Sequence, residues 1–159
     1  MKSMTDASEG ISTQIASDIA PQAQVGTILL LGPPGVGKGT QARELSKLCA
    51  IPHISTGELL RTNVAKGTHL GRAVKEMMNR GDLVPDSIVK EMVEVRLLEA
   101  DTARGYILDG FPRTLDQAIW LSASIAKFRK ELPVLAIGIQ VSRSQLLRRI
   151  TGRRHCPLC

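Results

Sequence analysis

Aromatic residues are nearly missing from this chain of 159 residues: two Phe, one Tyr and one Trp, 3% of the total. Any core must be filled by Leu, Ile, Val, Ala and Met instead. The shortage also bears on partners. Proteins that hold single-stranded nucleic acid stack its bases on aromatics set among basic residues, and no such tract occurs, so no nucleic-acid partner is expected. Cysteine is sparse too, with three residues, which excludes the disulfide framework of small secreted domains. Cys49 stands alone in an apolar helical stretch and reads as a small core residue. No segment is long and apolar enough to span a bilayer, so no membrane partner is expected. Residues 1–26 lack arginine and any apolar run but carry Asp6, Glu9 and Asp18. That composition argues against a signal or transit peptide and leaves a mobile polar extension, with a cytoplasmic location by default.

What is present is an ordinary globular composition, 43% hydrophobic and 23% charged, with a formal net charge of +6. A chain of this size buries roughly 70% of its unfolded surface, enough for one real core. The positive excess suits an anionic ligand, a nucleotide among others.

Short apolar runs alternate with helical periodicity. Thr27–Leu31 ends in a Gly/Pro cluster and reads as a buried parallel strand. Lys38–Leu48 is helical, with Ala42, Leu45 and Leu48 on one face. Ile51–Ile54 is the next strand. Ser55 and Thr56 offer N-cap hydroxyls to a helix through Leu59, Leu60 and Val64, broken at Gly67. Leu70–Arg80 is helical and closed by Gly81. Pro85 opens a longer helix with Asp86 in its first turn, where an acid suits the helix dipole, and Ile88, Met92, Val95 and Leu98 as its apolar positions. Tyr106–Leu108 is a third strand, followed at once by Asp109. A helix over Leu115–Phe128, a strand over Val134–Gln140 and a helix over Ser142–Ile150 complete the order. The alternation predicts an α/β fold: an open parallel β-sheet with helices on both faces.

The segment that carries chemistry is Gly32-Pro33-Pro34-Gly35-Val36-Gly37-Lys38-Gly39-Thr40, between a strand and a helix. Glycines let successive backbone N–H groups turn into one concavity, the helix adds its positive end, and Lys38 adds a full charge; together they cradle a triphosphate. The general form of this loop has Ser or Thr directly after the lysine to touch Mg²⁺. Here Gly39 holds that place and Thr40 follows, so metal binding through water is expected, which Mg²⁺ accepts because it sheds its waters reluctantly.

Three more segments lie downstream: Ile54-Ser55-Thr56-Gly57-Glu58-Leu59-Leu60-Arg61, then Leu108-Asp109-Gly110-Phe111-Pro112-Arg113-Thr114 with Gln117-Ala118, then Arg149-Ile150-Thr151-Gly152-Arg153-Arg154. With the Gly-Lys-Gly-Thr loop they resemble, in order and spacing, the nucleoside monophosphate kinases, and adenylate kinase within them. The resemblance covers Thr27 to the chain end. It implies a P-loop core over 27–159, a small helical AMP-binding insertion over 55–84 and the start of a lid over 152–159. It implies that Gly35, Val36, Gly37, Lys38, Gly39 and Thr40 hold the donor phosphates of ATP. Thr56 would lie beside the AMP base, Arg61 and Arg113 would grip the AMP phosphate, and Gln117 would read the adenine edge. Asp82, Leu83 and Val84, with Gly110, Phe111 and Pro112, would line the same pocket. Asp109 would orient Mg²⁺ through water, Arg149 would stack near the ATP base, and Arg153 would reach the phosphates in transfer. Lys38, Asp109, Arg113, Arg149 and Arg153 are thus the candidate catalytic residues.

The residue types suit this independently. Arginine forks match phosphate oxygens, and phosphoryl transfer is mostly positioning and charge neutralisation. No general base is needed, so His53 and His69 read as structural or solvated. Trp120 and the Met77–Met78 pair read as packing. The implied reaction is ATP + AMP = 2 ADP with Mg²⁺, in a monomer. Thr56 favours AMP over pyrimidine monophosphates by the same resemblance, with another nucleoside monophosphate as an alternative. His155-Cys156-Pro157-Leu158-Cys159 resembles the first half of a four-ligand zinc knuckle in the family's lid. Cys156 and Cys159 supply half of what structural zinc needs, so the pair is read as metal-free here and zinc-binding beside a second pair. A chain stopping inside the lid leaves a second reading open: a lidless fragment that binds nucleotides without turnover.

Overall fold

The computed structural model describes residues 24–80, 82, 84–128 and 132–152. Four parallel strands form one sheet in the order β2-β3-β1-β4. They are β1 (Gly26–Leu31), β2 (His53–Ser55), β3 (Gly105–Asp109) and β4 (Val134–Gly138). Between and after them run α1 (Lys38–Cys49), α2 (Thr56–Lys66), α3 (His69–Arg80), α4 (Asp86–Leu97), α5 (Leu115–Phe128) and α6 (Arg143–Thr151). This is the predicted α/β class. A short 3₁₀ turn, Ala100–Thr102, leads into β3.

Strand alternation sorts the core into two layers. Tyr106 and Leu108 point to one face of β3 and pack with Ile54, Val93, Phe111 and Leu121. Ile107 points to the other and joins Ile28, Leu30, Ala42 and Ile51 under α1. The register pairs Ile28 with Ile107 and Leu30 with Asp109, which brings the carboxyl ends of β1 and β3 side by side. In an open parallel sheet, ligands sit in the crevice outside those ends. Trp120 packs on the first layer, its ring edge-on to Phe111 at 5.9 Å, and Cys49 borders the second, half-buried.

The structure differs from the sequence reading at several points. The second strand begins at His53, not Ile51, because α1 closes on that segment. Ala50 takes a left-handed conformation, the Ile51 N–H donates to Ser46 O at 3.3 Å, and Ser46 Oγ donates to Ile51 O at 2.6 Å. At the start of α2, Ser55 is the N-cap but its side chain makes no cap bond. The Thr56 hydroxyl, also expected to cap, donates across the fold to Gly110 O at 3.0 Å.

On α4 the buried face is not the expected Ile88–Met92–Val95–Leu98 stripe. Val95 is 59% and Leu98 64% exposed, while Met92 and Val93 are buried. The helix offers two apolar stripes, and packing against Tyr106 and Leu108 selects the one through Val89, Val93 and Leu97. The fourth strand ends at Gly138, not Gln140, since β1 stops at Leu31 and its last carbonyl is taken by the Ile139 N–H at 2.8 Å. Cover on the sheet is also uneven: Val134 and Leu135 of β4 stay about half exposed among the described residues. Gly81, Leu83 and Arg153–Cys159 lie outside the described residues, with them the cysteine pair.

Candidate active site

The glycine loop leaves β1 at Gly32 and enters α1 at Lys38. Gly37 is the helix N-cap at φ 111°, a conformation that side chains with a Cβ resist. Its carbonyl accepts from the Thr40 and Gln41 N–H groups, each at 3.1 Å, which starts the helix. Lys38 Nζ donates to Gly32 O at 2.9 Å and Pro33 O at 3.1 Å, so the ammonium spans the loop. From the last described helix, Arg149 Nη1 donates to Val36 O at 2.9 Å.

Facing the loop, Asp109 ends β3 with its side chain only 14% exposed. A Cβ on Gly39 would stand 3.4 Å from Asp109 Oδ2. The glycine that departs from the general loop pattern is thus the residue that faces this carboxylate. His53 Nε2 lies 3.5 Å from the same oxygen and is buried without a hydrogen-bond partner among the described residues. The histidine read as structural or solvated therefore adjoins the site, because β2 and β3 pair in register at their ends.

One cleft of about 480 Å³ is lined by Gly35, Gly37–Thr40, Arg61, Asp109, Gly110, Arg113 and Arg149, with His53 outside its lining. Arg43 lines it as well, one helical turn beyond Gly39, a position that the sequence motifs did not single out. The i, i+4 spacing from Gly39 was the signal that could have found it. Five cations thus meet one carboxylate, and among the described residues none of the five is ion-paired to an acid. Such a cleft attracts polyanions and discriminates against neutral ligands. A second hollow of about 740 Å³ opens on the other side of the loop, between Val36, Leu45, Ile139 and Arg149.

Beyond Gly110 the wall is built from side chains. The Phe111–Pro112 peptide is cis, and Phe111 is fully buried. Arg113 Nε donates to Gly110 O at 2.7 Å. Gln117 does not line the cleft: it is 4% exposed, its Oε1 accepting from Arg113 N–H at 2.7 Å and its Nε2 donating to Asp86 Oδ1 at 2.7 Å. Thr114 Oγ1 donates to Asp86 Oδ2 at 2.6 Å and accepts from Gln117 N–H at 3.2 Å. The Thr114 hydroxyl bond lowers the pKa of Asp86 below the usual carboxylate value; burial opposes it, and Gln117 and Lys90 support it. Thr56 is buried and borders a seam with Leu59, Leu60, Val89, Met92 and Val93 that is closed even to water. Asp82 is paired with Arg80 at 2.9 Å, at the surface.

Among the described residues no three His, Cys, Asp or Glu side chains cluster to cage a metal. One shielded carboxylate beside a phosphate loop does fit Mg²⁺ carried by a nucleotide, which keeps several waters and needs only one or two carboxylates.

Sheet order, loop and cleft define the class: a P-loop nucleotide-binding protein. The adenylate kinase family model matches residues 30–156. Adenylate kinase of Kosmotoga olearia is 50% identical over 132 residues, 83% of this chain and 61% of that protein. Those of Pseudothermotoga lettingae and Archaeoglobus fulgidus are each 48% identical over 132 residues, covering 83% of this chain and 60% of the relative. The chain belongs to the adenylate kinase family, and it spans about three fifths of the length of these curated relatives. No described helix is long and apolar enough to cross a membrane.

Proposed function

We propose that this protein is a Mg²⁺-dependent ATP:AMP phosphotransferase, catalysing ATP + AMP = 2 ADP in both directions. The observation that carries this reading is the meeting of the glycine loop, Arg61, Arg113, Arg149 and Asp109 in one cleft whose cations have no acidic ion-pair partners among the described residues. In this reading the backbone of Gly35–Thr40 and the Lys38 ammonium hold the β- and γ-phosphates. Arg61 and Arg113 hold the AMP phosphate, and Arg149 lies against the ATP, with Arg153 reaching the moving phosphoryl group. Thr56, Gly110, Phe111, Pro112, Gln117 and Asp82–Val84 surround the AMP base. An AMP phosphate oxygen attacks the γ-phosphorus while the bond to the β-phosphate oxygen breaks; each nucleotide leaves as ADP. The attacking oxygen is already ionised, so the residues position and neutralise without moving a proton.

Asp109 would hold a nucleotide-borne Mg²⁺ through water, and the ion would supply charge neutralisation to the phosphates. Residues 55–84 act as the AMP-binding insertion and 152–159 begin the lid. Cys156 and Cys159 supply half a zinc site, which becomes structural only with two further ligands. By family resemblance the protein works as a monomer on free nucleotides, with a cytoplasmic location by default; its scarce aromatics speak against a nucleic-acid partner and its lack of long apolar runs against a membrane one.

The test is ADP formation from ATP and AMP with Mg²⁺, with Arg113→Ala as the comparison. The exchange should drop turnover by about 10³-fold, the scale for an arginine neutralising a transferring phosphoryl group, with an unchanged unfolding midpoint. Equal turnover in both forms would remove Arg113 from the mechanism. ATP binding with no turnover in either form would make this chain a nucleotide-binding unit.

A further inference from the structure

The hydrogen bonds around Gln117 reach a residue with no part in the phosphate cleft. Thr114 and Gln117 have the T-x-x-Q spacing of a capping box, in which the glutamine side chain returns to the cap residue's own N–H. Here Gln117 Oε1 reaches one residue further back, to Arg113 N–H at 2.7 Å. Its other end is held by Asp86 Oδ1 at 2.7 Å, while Thr114 occupies Asp86 Oδ2 at 2.6 Å. Asp86 stands in the first turn of α4, 31 residues from Gln117 in sequence.

An ionised carboxylate only accepts, so it admits only the NH₂ end of the amide. The orientation of the amide is then no longer free: Nε2 must face Asp86 and Oε1 must face Arg113. A primary amide has two N–H donors and two acceptor lone pairs. Asp86 takes one donor and Arg113 one lone pair, which leaves one donor and one acceptor on neighbouring atoms. Adenine presents the complementary pair, the N6 amino group beside a ring nitrogen, and glutamine pairs with it in this bidentate way. With the amide reversed, Nε2 would meet the Arg113 N–H, donor against donor.

We infer that Asp86 is a positioning residue for the nucleoside monophosphate site: it fixes the orientation of the Gln117 amide, and with it the preference for adenine. This rests on the proposed AMP site. It adds a residue that touches neither nucleotide and acts through Gln117 and the Arg113 backbone.

The test is calorimetric titration of the full chain with AMP and, separately, with ATP. Asp86→Ala removes both acceptors and should weaken AMP about tenfold, the effect of one lost hydrogen bond, with ATP affinity within about twofold. Asp86→Asn keeps an oxygen for Gln117 Nε2, with the Thr114 hydroxyl turned to accept, and should restore AMP affinity. Equal losses for AMP and ATP, or no loss for AMP, would overturn the assignment while leaving the AMP site in place. Wild-type chain that binds ATP but not AMP would overturn the site and the assignment together. One measurement needs no variant. In the wild-type chain without nucleotide, the Gln117 Nε2 proton donated to Asp86 should lie downfield of the ordinary glutamine side-chain range and exchange slowly. Two Nε2 protons at ordinary glutamine shifts, both exchanging fast, would sink the proposal.

Discussion

The two halves of the cleft are built in different ways. Arg149 aside, the donor half is local: nine consecutive residues, Gly32–Thr40, supply its backbone, and Lys38 bonds to carbonyls five and six residues away. The acceptor half is assembled from a distance. Thr56 reaches Gly110 across 54 residues, and Asp86 meets Thr114 and Gln117 across 28 and 31. One half depends on what the backbone can do in a short turn. The other depends on whether three helices and a strand end come to rest in the right places. A substitution in the first should therefore damage chemistry and spare the fold, while one that cuts a long-range contact of the second should disturb both.

The sharpest separation is expected from Lys38→Met. Its ammonium is exposed and bonded only within the loop, so the unfolding midpoint should move by no more than about 0.5 kcal/mol. Turnover should fall by about 10³-fold, the scale for one preorganised donor on a transferring group. A large loss of stability would show that the donor half is not self-contained.

Thr56→Val comes next. The valine keeps the shape but leaves the Gly110 carbonyl with Arg113 Nε as its one remaining donor among the described residues. About 0.5–1.5 kcal/mol of stability should go, the net worth of one hydrogen bond, read by denaturant midpoint, with AMP affinity falling more than ATP affinity. Equal effects on both nucleotides would erase the distinction between the halves.

The smallest effect concerns acid. Away from the cleft, Arg96 forks onto Asp101 at 2.7 and 2.8 Å, and this bond lowers the Asp101 pKa. Thr114 does the same to Asp86 on the acceptor side. A folded-state pKa below the unfolded one adds stability that is complete above the unfolded value and lost as pH falls through the folded one. Stability should therefore decline below about pH 4, where free Asp titrates. Asp101→Asn should flatten that decline by about 0.5 kcal/mol, since the pair is largely solvent-facing. Thermal melts between neutral and acid pH would measure it, and a slope unchanged in the variant would assign the acid sensitivity elsewhere.

The same contrast explains what could be read before the fold was seen. The loop, the alternation of strands with helices and most helix limits were legible because each is written in neighbouring residues, as glycine spacing and apolar runs; Ser142, read as the first residue of the last helix, is its cap. Asp86 was legible as a helix-start acid, which it is, but not as the anchor of Gln117, because nothing at position 86 refers to position 117. His53 was passed over for the same reason. Its closeness to Asp109 comes from strand pairing, a property of two segments. On α4 the sequence carried two apolar stripes, and only the partner surface could choose between them.

Arg149 bears on the order of assembly. Its bond to Val36 spans 113 residues and joins the last described helix to the first loop. Contacts of such separation carry the largest loop-closure cost and are slow to form. During synthesis the glycine loop leaves the ribosome well before the arginine that covers it, since domains are made from the amino end. A nascent chain thus carries a finished phosphate loop for a time without its cover, and the cleft is complete only when the last described helix docks.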